Sequence, residues 1–591
     1  MQGVFTLVLL SLAVLLAAPC HGQDRATGSD QRNIRTGIEI PSEGYCDQPY
    51  VVVTSDGAWL CVMTTGPGVE GQRGQHVVST TSADRGKTWT PLVSIEPSDG
   101  PEASWAMPLV TPAGRVYVFY SYNGDNVHTL GDKNDIRADT IGWYCYRYTD
   151  DGGRTWSDTR YRLPMRHTAV DLGNDWHGEV QIFWGIGKPV ALDGTAIFAF
   201  TKIGRYMLDE SEGWFFRSDN ILSERNAHAL RWELLPEGDH GLRNPDFGSI
   251  QSEQNLVPLN DGSLYCMYRT TTGYPCHAYS RDGGRTWTLP EQATYTPHGR
   301  RIKNPRACPR IWKAHNGNYL FWFHNHSGKD FLGRNPAWIS GGIEIDGFIH
   351  WSQPEILLYD PEAGDAIGRG GVRMSYPDLI EQDGRYWITE TQKDIARVHK
   401  IDATLLEGLW NQGKAKDIAQ DGLVLTVKPG DSRDTLAMPA LPDLRYLGGF
   451  TLDCWIDTGT ATPGLALVDT RDANGKGVLL EVVDGAAAHV ALSDGVTAAD
   501  WTSDAGSLDP PGRHHVVAII DGGPRIITFV VDGVLCDGGE QRQFGWGRFP
   551  AELGDMNGAP AIRIAEIVKP LRIYNRYLRT SEAVAHYRAG L

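Results

Sequence analysis

Ionisable and aromatic side chains stand at the ends of short apolar segments in the middle of the chain. Glu253 precedes one such segment and Arg269 follows it, while Tyr376 and Glu390 bracket another. An arginine guanidinium binds a carboxylate through two parallel hydrogen bonds, and a glutamate beside a phenol can accept its proton. These four residues are candidates for chemistry on an anionic substrate. The alternative is that they form a salt bridge and a buried tyrosine within the fold.

Further candidates precede other segments of the same kind. Arg306 and Arg310 place two cations before one segment, and His177 and Lys188 stand in loops before another. Polar groups beside aromatic rings suit sugar binding, because rings stack on the sugar while the polar groups bind its hydroxyls. The imidazoles of the His-Asn-His run at 324–326 lack a third ligand nearby, so we predict no metal site and no cofactor. A structural Ca²⁺ ion stays open.

The apolar segments themselves repeat. Each has an apolar pair, a turn of the Asp-Gly type and a second apolar strand, which is the pattern of a β-hairpin. Six copies occur, at residues 50–63, 109–120, 189–198, 256–268, 311–322 and 379–388. A repeat of this kind predicts an architecture in which each unit buries the face of the next.

A second repeat is an octet that reads Ser or Thr, any residue, Asp, any, Gly, any, Thr, Trp. It occurs at residues 82–89, 149–156 and 280–287. The Asp oxygens can accept hydrogen bonds from the turn's own amides, Gly tolerates a positive φ, and the Trp can cover the apolar face below. Together with the six hairpins, the octets predict an all-β, six-bladed propeller of four-stranded blades over residues 37–425.

The octet resembles the Asp box of the sialidase-type β-propellers, in which the boxes lie at the rim, away from the active site. The resemblance implies a nucleophilic tyrosine at Tyr376, a partner glutamate at Glu253 and an arginine at Arg269 that binds the substrate carboxylate. Glu390 matches the glutamate that follows the tyrosine strand. A neutral tyrosine suits a reacting centre that carries a carboxylate, because a carboxylate nucleophile would be repelled.

Two positions depart from that family's pattern. The family's first carboxylate-binding arginine stands in an Arg-Ile-Pro triplet, which reads Asp47-Gln48-Pro49 here, so an acid occupies the predicted substrate site. The family's acid/base aspartate is also missing, and His76 and Glu70 are the replacements that this stretch offers; the alternative for both is a solvated loop. Because Asp47 would repel a sialic acid carboxylate, uronate, sulfated and neutral glycans stay open as substrates.

The last 150 or so residues form a second predicted unit. The phrases FTLDCW, GRHHVVAIIDGG, FVVDGVL and RIYNRYLRTSEAVAHYR resemble, in order and spacing, the concanavalin-like, laminin-G-type jelly rolls. The resemblance covers residues 441–591 and implies a β-sandwich that binds glycans or packs against a catalytic neighbour. A short amphipathic helix near residues 403–412 and a linker at 413–434 are expected between the two units.

The bulk composition limits the function. A net charge of −17 argues against a nucleic-acid binder. The apolar, uncharged run at residues 4–18 suits a signal peptide over residues 1–23 and a secreted or periplasmic protein, and no later run is long enough to span a membrane. Eight cysteines follow the predicted signal, and either a cross-strand disulfide or free thiols suit Cys266 and Cys276.

The sequence therefore predicts an exported glycoside hydrolase of the exo-α-sialidase type that acts on glycans. One alternative is a glycosidase or polysaccharide lyase of the same fold that acts on a uronate or sulfated sugar. Another is a glycan-binding protein without turnover, which the missing arginine and aspartate would favour.

Overall fold

A computed structural model describes residues 30–362, 373–431 and 436–590. The predicted signal peptide lies outside the described residues. Six antiparallel sheets, each of four or five strands, follow one another along residues 38–401 and form the predicted six-bladed propeller. None of the described helices is long and apolar enough to cross a membrane.

The inner strand of each blade comes first in its blade, and the chain then runs outward. Blade 1 contains Tyr45–Val53, Trp59–Gly66, His76–Ser82 and Val93–Ser94, and blade 2 contains Ala103–Val110, Val116–Tyr122, Trp143–Thr149 and Tyr161–Arg162. Blade 3 contains Phe183–Trp184, Val190–Leu192, Thr195–Arg205, Asp209–Ser218 and Glu233–Leu235, and blade 4 contains Ser252–Pro258, Leu264–Arg269, Cys276–Ser280 and Glu291–Gln292. Blade 5 contains Arg310–Lys313, Tyr319–Phe323, Ala337–Ile345, Phe348–Trp351 and Glu355–Leu358.

Blade 6 closes the ring. Its strands Ser375–Gln382, Arg385–Thr391 and Ala396–Ile401 come from the end of the propeller, but its outer strand is the N-terminal Ile38–Ile40, which pairs antiparallel with Ala396–Ile401. The two ends of the propeller sequence are therefore held together by strand pairing within one sheet.

The octets form the turns that their residue types predict. In the third octet, the Asp282 carboxylate accepts hydrogen bonds from the Thr286 amide (2.9 Å) and hydroxyl (2.6 Å). Gly284, at φ 90°, donates its amide to the Ser280 hydroxyl. The Trp287 ring stacks on Phe215 of the preceding blade at a centroid distance of 4.5 Å. The third octet therefore joins a tight turn to an aromatic contact between blades.

The second unit contains two sheets whose facing apolar side chains form one core. The larger sheet contains Leu423–Val427, Gly449–Asp457, Arg513–Asp521, Ile526–Val531, Val534–Leu535, Gly547–Arg548 and Val568–Tyr574, and the smaller contains Ala466–Asp469, Gly477–Val483, Ala487–Ser493, Ala498–Thr502 and Arg563–Ile564. The laminin-G-type topology stays a prediction.

The sequence predicted a helix and a linker between the propeller and the second unit. The helix Ala403–Asn411 begins at Asp402, whose side chain accepts the Thr404 amide, and it buries Leu405, Leu406, Leu409 and Trp410. The boundary at residue 425 is wrong, because Leu423–Val427 pairs with Val568–Tyr574 and so belongs to the second unit. The other helices are Ala169–Leu172 and Thr580–Ala589.

The eight cysteines of the described residues are free and buried. Cys266 faces Ala278 across the hairpin and Cys276 faces Tyr268, so the two thiols are not cross-strand partners and the suggested disulfide is absent there. They fill the blade core as small apolar side chains.

A buried carboxylate joins the large sheet to the C-terminal helix. Asp453 accepts hydrogen bonds from His515 Nε2 (2.9 Å) and from His586 Nδ1 (2.5 Å), and all three side chains are fully buried. His586 Nε2 accepts the amide of Ala419, so the imidazole carries its proton on Nδ1. Burial raises the pKa of Asp453, but the two histidines outweigh it, and the net pKa is lowered. Asp453 is therefore an anion in the folded protein.

We expect Asp453→Asn to lower the free energy of unfolding of the second unit by about 3 kcal/mol, because it breaks a buried charged network. Since the folded-state pKa of Asp453 is depressed, its stabilisation is present above the ordinary carboxyl pKa and is lost as pH falls below about 4. Urea unfolding between pH 7 and pH 3 measures both effects. Asp500→Asn, at an exposed carboxylate, is the control; equal losses in the two variants would contradict the prediction.

Candidate active site

Four inner strands carry the same irregularity where they begin. The strand register shifts next to Gln48, Trp105, Glu253 and Tyr376, and each of these residues has a positive φ, of 52°, 64°, 62° and 44° respectively. Such a left-handed conformation costs a non-glycine residue about 1–2 kcal/mol, and bulges that redirect a side chain are common beside active sites. The bulges therefore mark this end of the propeller axis as a candidate site.

Three of the predicted site residues form a hydrogen-bonded chain there. The Tyr376 hydroxyl donates to Glu253 Oε1 (2.8 Å), and Arg269 Nη1 lies 2.6 Å from the same oxygen. Arg269 Nε is held by the Ser252 hydroxyl at 2.9 Å. Burial raises the pKa of Tyr376, and the Glu253 charge raises it further. The phenol is therefore neutral at rest and has a carboxylate in place to accept its proton.

A pocket of about 300 Å³ lies above this chain. Of the described residues that line it, Glu70 is the one acid, and the aromatic side chains are Trp105, Trp184, Phe331 and Tyr376; the cations are Arg137, Arg269, Arg306, Arg334, Arg373 and Lys393. Among the described residues, no carboxylate lies within 4.0 Å of the guanidinium of Arg306, Arg334 or Arg373. Cations without a carboxylate partner in a partly apolar pocket favour an anionic ligand.

Lys393 compensates for the acid at position 47. Its ammonium lies 2.6 Å from Asp47 Oδ2, 3.4 Å from Glu70 Oε1 and 4.5 Å from the centre of the Tyr376 ring. Asp47 is 1% exposed and does not line the pocket, so the prediction that it contacts the substrate is wrong. Lys393 neutralises the Asp47 carboxylate, so the pocket keeps its positive charge.

Comparison with known proteins agrees with this architecture. Residues 105–388 match the family model of the BNR repeat-like domain. Over 186 residues the chain is 25% identical to the anhydrosialidase of Macrobdella decora, a match that covers 29% of this chain. The chain spans about a fifth (21%) of the length of that relative.

Solved structures of sialidases have a similar outline. A Hadza microbial sialidase, Hz136, is 18% identical with a TM-score of 0.44, and the match covers 62% of this chain and 68% of that one. The Trypanosoma rangeli sialidase in complex with 2,3-difluorosialic acid is 12% identical with a TM-score of 0.44, over 94% of this chain and 96% of that one.

Glu70, rather than His76, is the acid/base candidate of this pocket. His76 is 1% exposed, and its ring nitrogens contact the Glu96 carbonyl (2.7 Å) and Glu43 Oε2 (2.8 Å), away from the pocket. The prediction for His76 is therefore wrong, because the side chain points into the blade at the start of its strand. Burial raises the pKa of Glu70, but Arg137 and Lys393 outweigh burial and lower it, so Glu70 is ionised when the pocket is empty.

Four other predicted substrate-binding residues lie elsewhere. Arg310 and Lys188 line a cavity at the opposite end of the axis. Each follows the pocket residue of its own blade, Arg306 in blade 5 and Trp184 in blade 3. Glu390 is fully buried and contacts His399 (3.3 Å) on the neighbouring strand. His177 is exposed in a loop and does not line the pocket. Of the two predicted cations of blade 5, Arg306 is the one at the pocket.

Arg137 and Lys393 are pocket residues that the sequence analysis missed. Arg137 lies 2.8 Å from Glu70 and 2.6 Å from Asp139 in the long blade 2 insertion. Lys393, at φ 81°, lies in the turn that follows Arg385–Thr391. The one available signal was the position of this turn, directly after the strand that pairs with the Tyr376 strand.

Proposed function

We propose that this protein is a glycoside hydrolase of the exo-sialidase type that releases a carboxylated sugar from a glycan. The observation that supports it is the Tyr376–Glu253–Arg269 chain beneath a pocket in which three of the six cations have no carboxylate partner among the described residues. Tyrosine serves as a glycosidase nucleophile where the reacting carbon bears a carboxylate. The cationic pocket supplies partners for such a carboxylate.

In the first step, Arg269, Arg306 and Arg334 bind the substrate carboxylate and orient the anomeric carbon toward Tyr376. The Tyr376 oxygen attacks that carbon while its proton passes to Glu253, 2.8 Å away. The bond to the leaving oxygen breaks, and this oxygen takes a proton from an acid. In the second step, water attacks the same carbon and gives one proton to the group that served as the acid, which is now a base. The glycosyl–tyrosine bond breaks, and Glu253 returns the proton to Tyr376.

Glu70 is the acid/base group in this proposal. It is ionised in the empty pocket, as a base that activates water must be. A bound substrate carboxylate adds negative charge and competes for Lys393, which raises the pKa of Glu70 and favours its protonated form for the first step. The Lys393 contact to both Glu70 and the Tyr376 ring couples the two steps to substrate binding.

Product analysis tests the function. The protein is incubated with sialylated, uronate-terminated and sulfated glycans, and the released sugars are identified by mass spectrometry and NMR. We expect free sialic acid from the sialylated panel. Release of a uronic acid would correct the substrate, a 4,5-unsaturated product would establish a lyase instead, and recovery of intact bound glycan would contradict turnover.

We expect Glu70→Gln to lower kcat by about 10²–10⁴-fold on a glycan whose leaving group is a sugar hydroxyl. The loss should be much smaller on a 4-nitrophenyl glycoside, because that leaving group departs without a proton. The measured quantity is the ratio of kcat on the two substrates, with His76→Asn as the control whose ratio stays that of the wild type. Equal losses on both substrates would remove Glu70 from the acid role.

Export and glycan binding by the second unit are also proposals. Export rests on the apolar run at residues 4–18, and N-terminal sequencing of the mature protein tests it. Glycan binding by residues 436–590 is tested on the full chain, by measuring whether the released sugar and the intact glycan compete for binding.

A further inference from the structure

A second cavity, of about 780 Å³, lies on the propeller axis at the end opposite the pocket. The inner strands run side by side along the axis, and every blade contributes residues from the later part of its inner strand. The lining comes from residues 51–53, 110, 188–191, 256–258, 310–315 and 379–383. The pocket residues Trp105, Trp184, Arg306 and Tyr376 precede these positions in their blades, which places the two openings at opposite ends.

Arg310 lines this cavity as a buried cation without a counter-charge. It is 3% exposed, and none of the described residues forms a hydrogen bond with its Nε. Among the described residues, no carboxylate lies within 4.0 Å of its guanidinium, and its described ring contacts are Tyr50 (5.0 Å) and Trp312 (5.8 Å). Burying an unpaired charge costs several kcal/mol, and aromatic faces offset a small part of that cost.

Lys188, another cation of the lining, is paired with Asp378. Asp378 Oδ2 accepts the Lys188 ammonium (2.7 Å) and the Val51 amide (2.8 Å), and Lys188 also donates to the Val51 carbonyl (2.9 Å). This lysine and aspartate neutralise each other. The two acids that line the cavity also have partners, since Glu381 contacts His315 and Asp383 contacts Arg85. Two lining cations, Arg310 and Lys313, have no carboxylate within 4.0 Å among the described residues. Most of the remaining wall is apolar, including Leu256 and Ile311.

We propose that this axial cavity binds a short aliphatic monocarboxylate whose oxygens pair with Arg310. Arg310 is the buried one of the two cations, and a guanidinium can bind a carboxylate through two parallel hydrogen bonds. The valine, leucine and isoleucine walls match an alkyl body. The site is distinct from the pocket of the proposed hydrolase and does not depend on that activity.

Thermal unfolding of the full chain in sodium propionate, compared with sodium chloride at equal ionic strength, tests the proposal. We expect Tm to rise with the logarithm of propionate concentration. Arg310→Met should weaken propionate binding by about tenfold or more. In chloride this variant should unfold at the same temperature as the wild type or higher, because a buried unpaired charge is gone. Lys313→Met, at the rim of the same cavity, should keep the propionate response.

Crystals of the wild type soaked in 3-bromopropionate provide a readout that does not need a folded variant. We expect an anomalous bromine peak in the axial cavity with the carboxylate on Arg310. An empty cavity in the soaked crystals, or a propionate response that persists in Arg310→Met, would overturn the proposal. A response to inorganic phosphate but not to propionate would overturn the carboxylate assignment.

Discussion

Tyr376→Phe should lower kcat by about 10³-fold or more on the glycan from which the wild type releases a sugar, while the protein stays folded. The variant removes the one oxygen that can attack the anomeric carbon, but the ring keeps its place at the bulge and its contact with Trp105 at a centroid distance of 5.8 Å. Losing the hydroxyl costs Glu253 one hydrogen bond, so stability should change by about 1–2 kcal/mol at most. Steady-state kinetics and thermal unfolding measure the two effects.

Tyr144→Phe is the matched control for this variant. Tyr144 is also buried in the propeller, its hydroxyl has no hydrogen-bond partner, and it does not line the pocket. We expect its kcat to stay within about twofold of the wild type, since substitutions away from a site and its hydrogen bonds have small effects. If Tyr376→Phe and Tyr144→Phe have the same activity, Tyr376 is not the nucleophile.

Glu253→Gln should lower kcat by about 10²–10⁴-fold with little change in KM, because the amide cannot take the phenol proton. The amide oxygen can still accept hydrogen bonds from Tyr376 and Arg269, so the carboxylate-binding cations keep their positions. The substitution therefore separates proton transfer from substrate binding. A large rise in KM with an unchanged kcat would assign Glu253 a role in binding instead.

The double variant Tyr376→Phe, Glu253→Gln sharpens this test. Residues that act as one unit have strongly non-additive effects, because removing either one disables the step. We expect the double variant to be about as slow as Tyr376→Phe alone. Multiplied losses would mean that the two residues act in separate steps.

The repeats made most of the propeller predictable. Octets and hairpins are local patterns, and their turns depend on residues such as Asp282 and Gly284 that lie within the same eight positions. The pairing of Tyr376 with Glu253 joins residues 123 positions apart, and the resemblance to a known family suggested it before the structure was described. The contact between the two side chains depends on equivalent bulges in two blades. No local sequence pattern predicts where these bulges occur.

The charges of the pocket were not predictable in the same way. Asp47 was expected to repel an anionic substrate, but Lys393, 346 positions away in the chain, neutralises it. Arg306 and Arg310 are four residues apart, yet they face opposite ends of the axis, because the first lies in the loop and the second begins the strand. His76 and Glu70 were both acid/base candidates. Glu70 lines the pocket and His76 does not, which the sequence alone could not show.

The strand that closes blade 6 has a consequence for biosynthesis. Ile38–Ile40 leaves the ribosome before the other described strands, but its partner Ala396–Ile401 emerges more than 350 residues later. At synthesis rates of about 5–20 residues per second, the N-terminal strand waits tens of seconds with its edge unpaired. Such long-range pairing slows folding and leaves edges open to wrong partners. Closure of the propeller ring therefore waits until the end of the propeller sequence has been made.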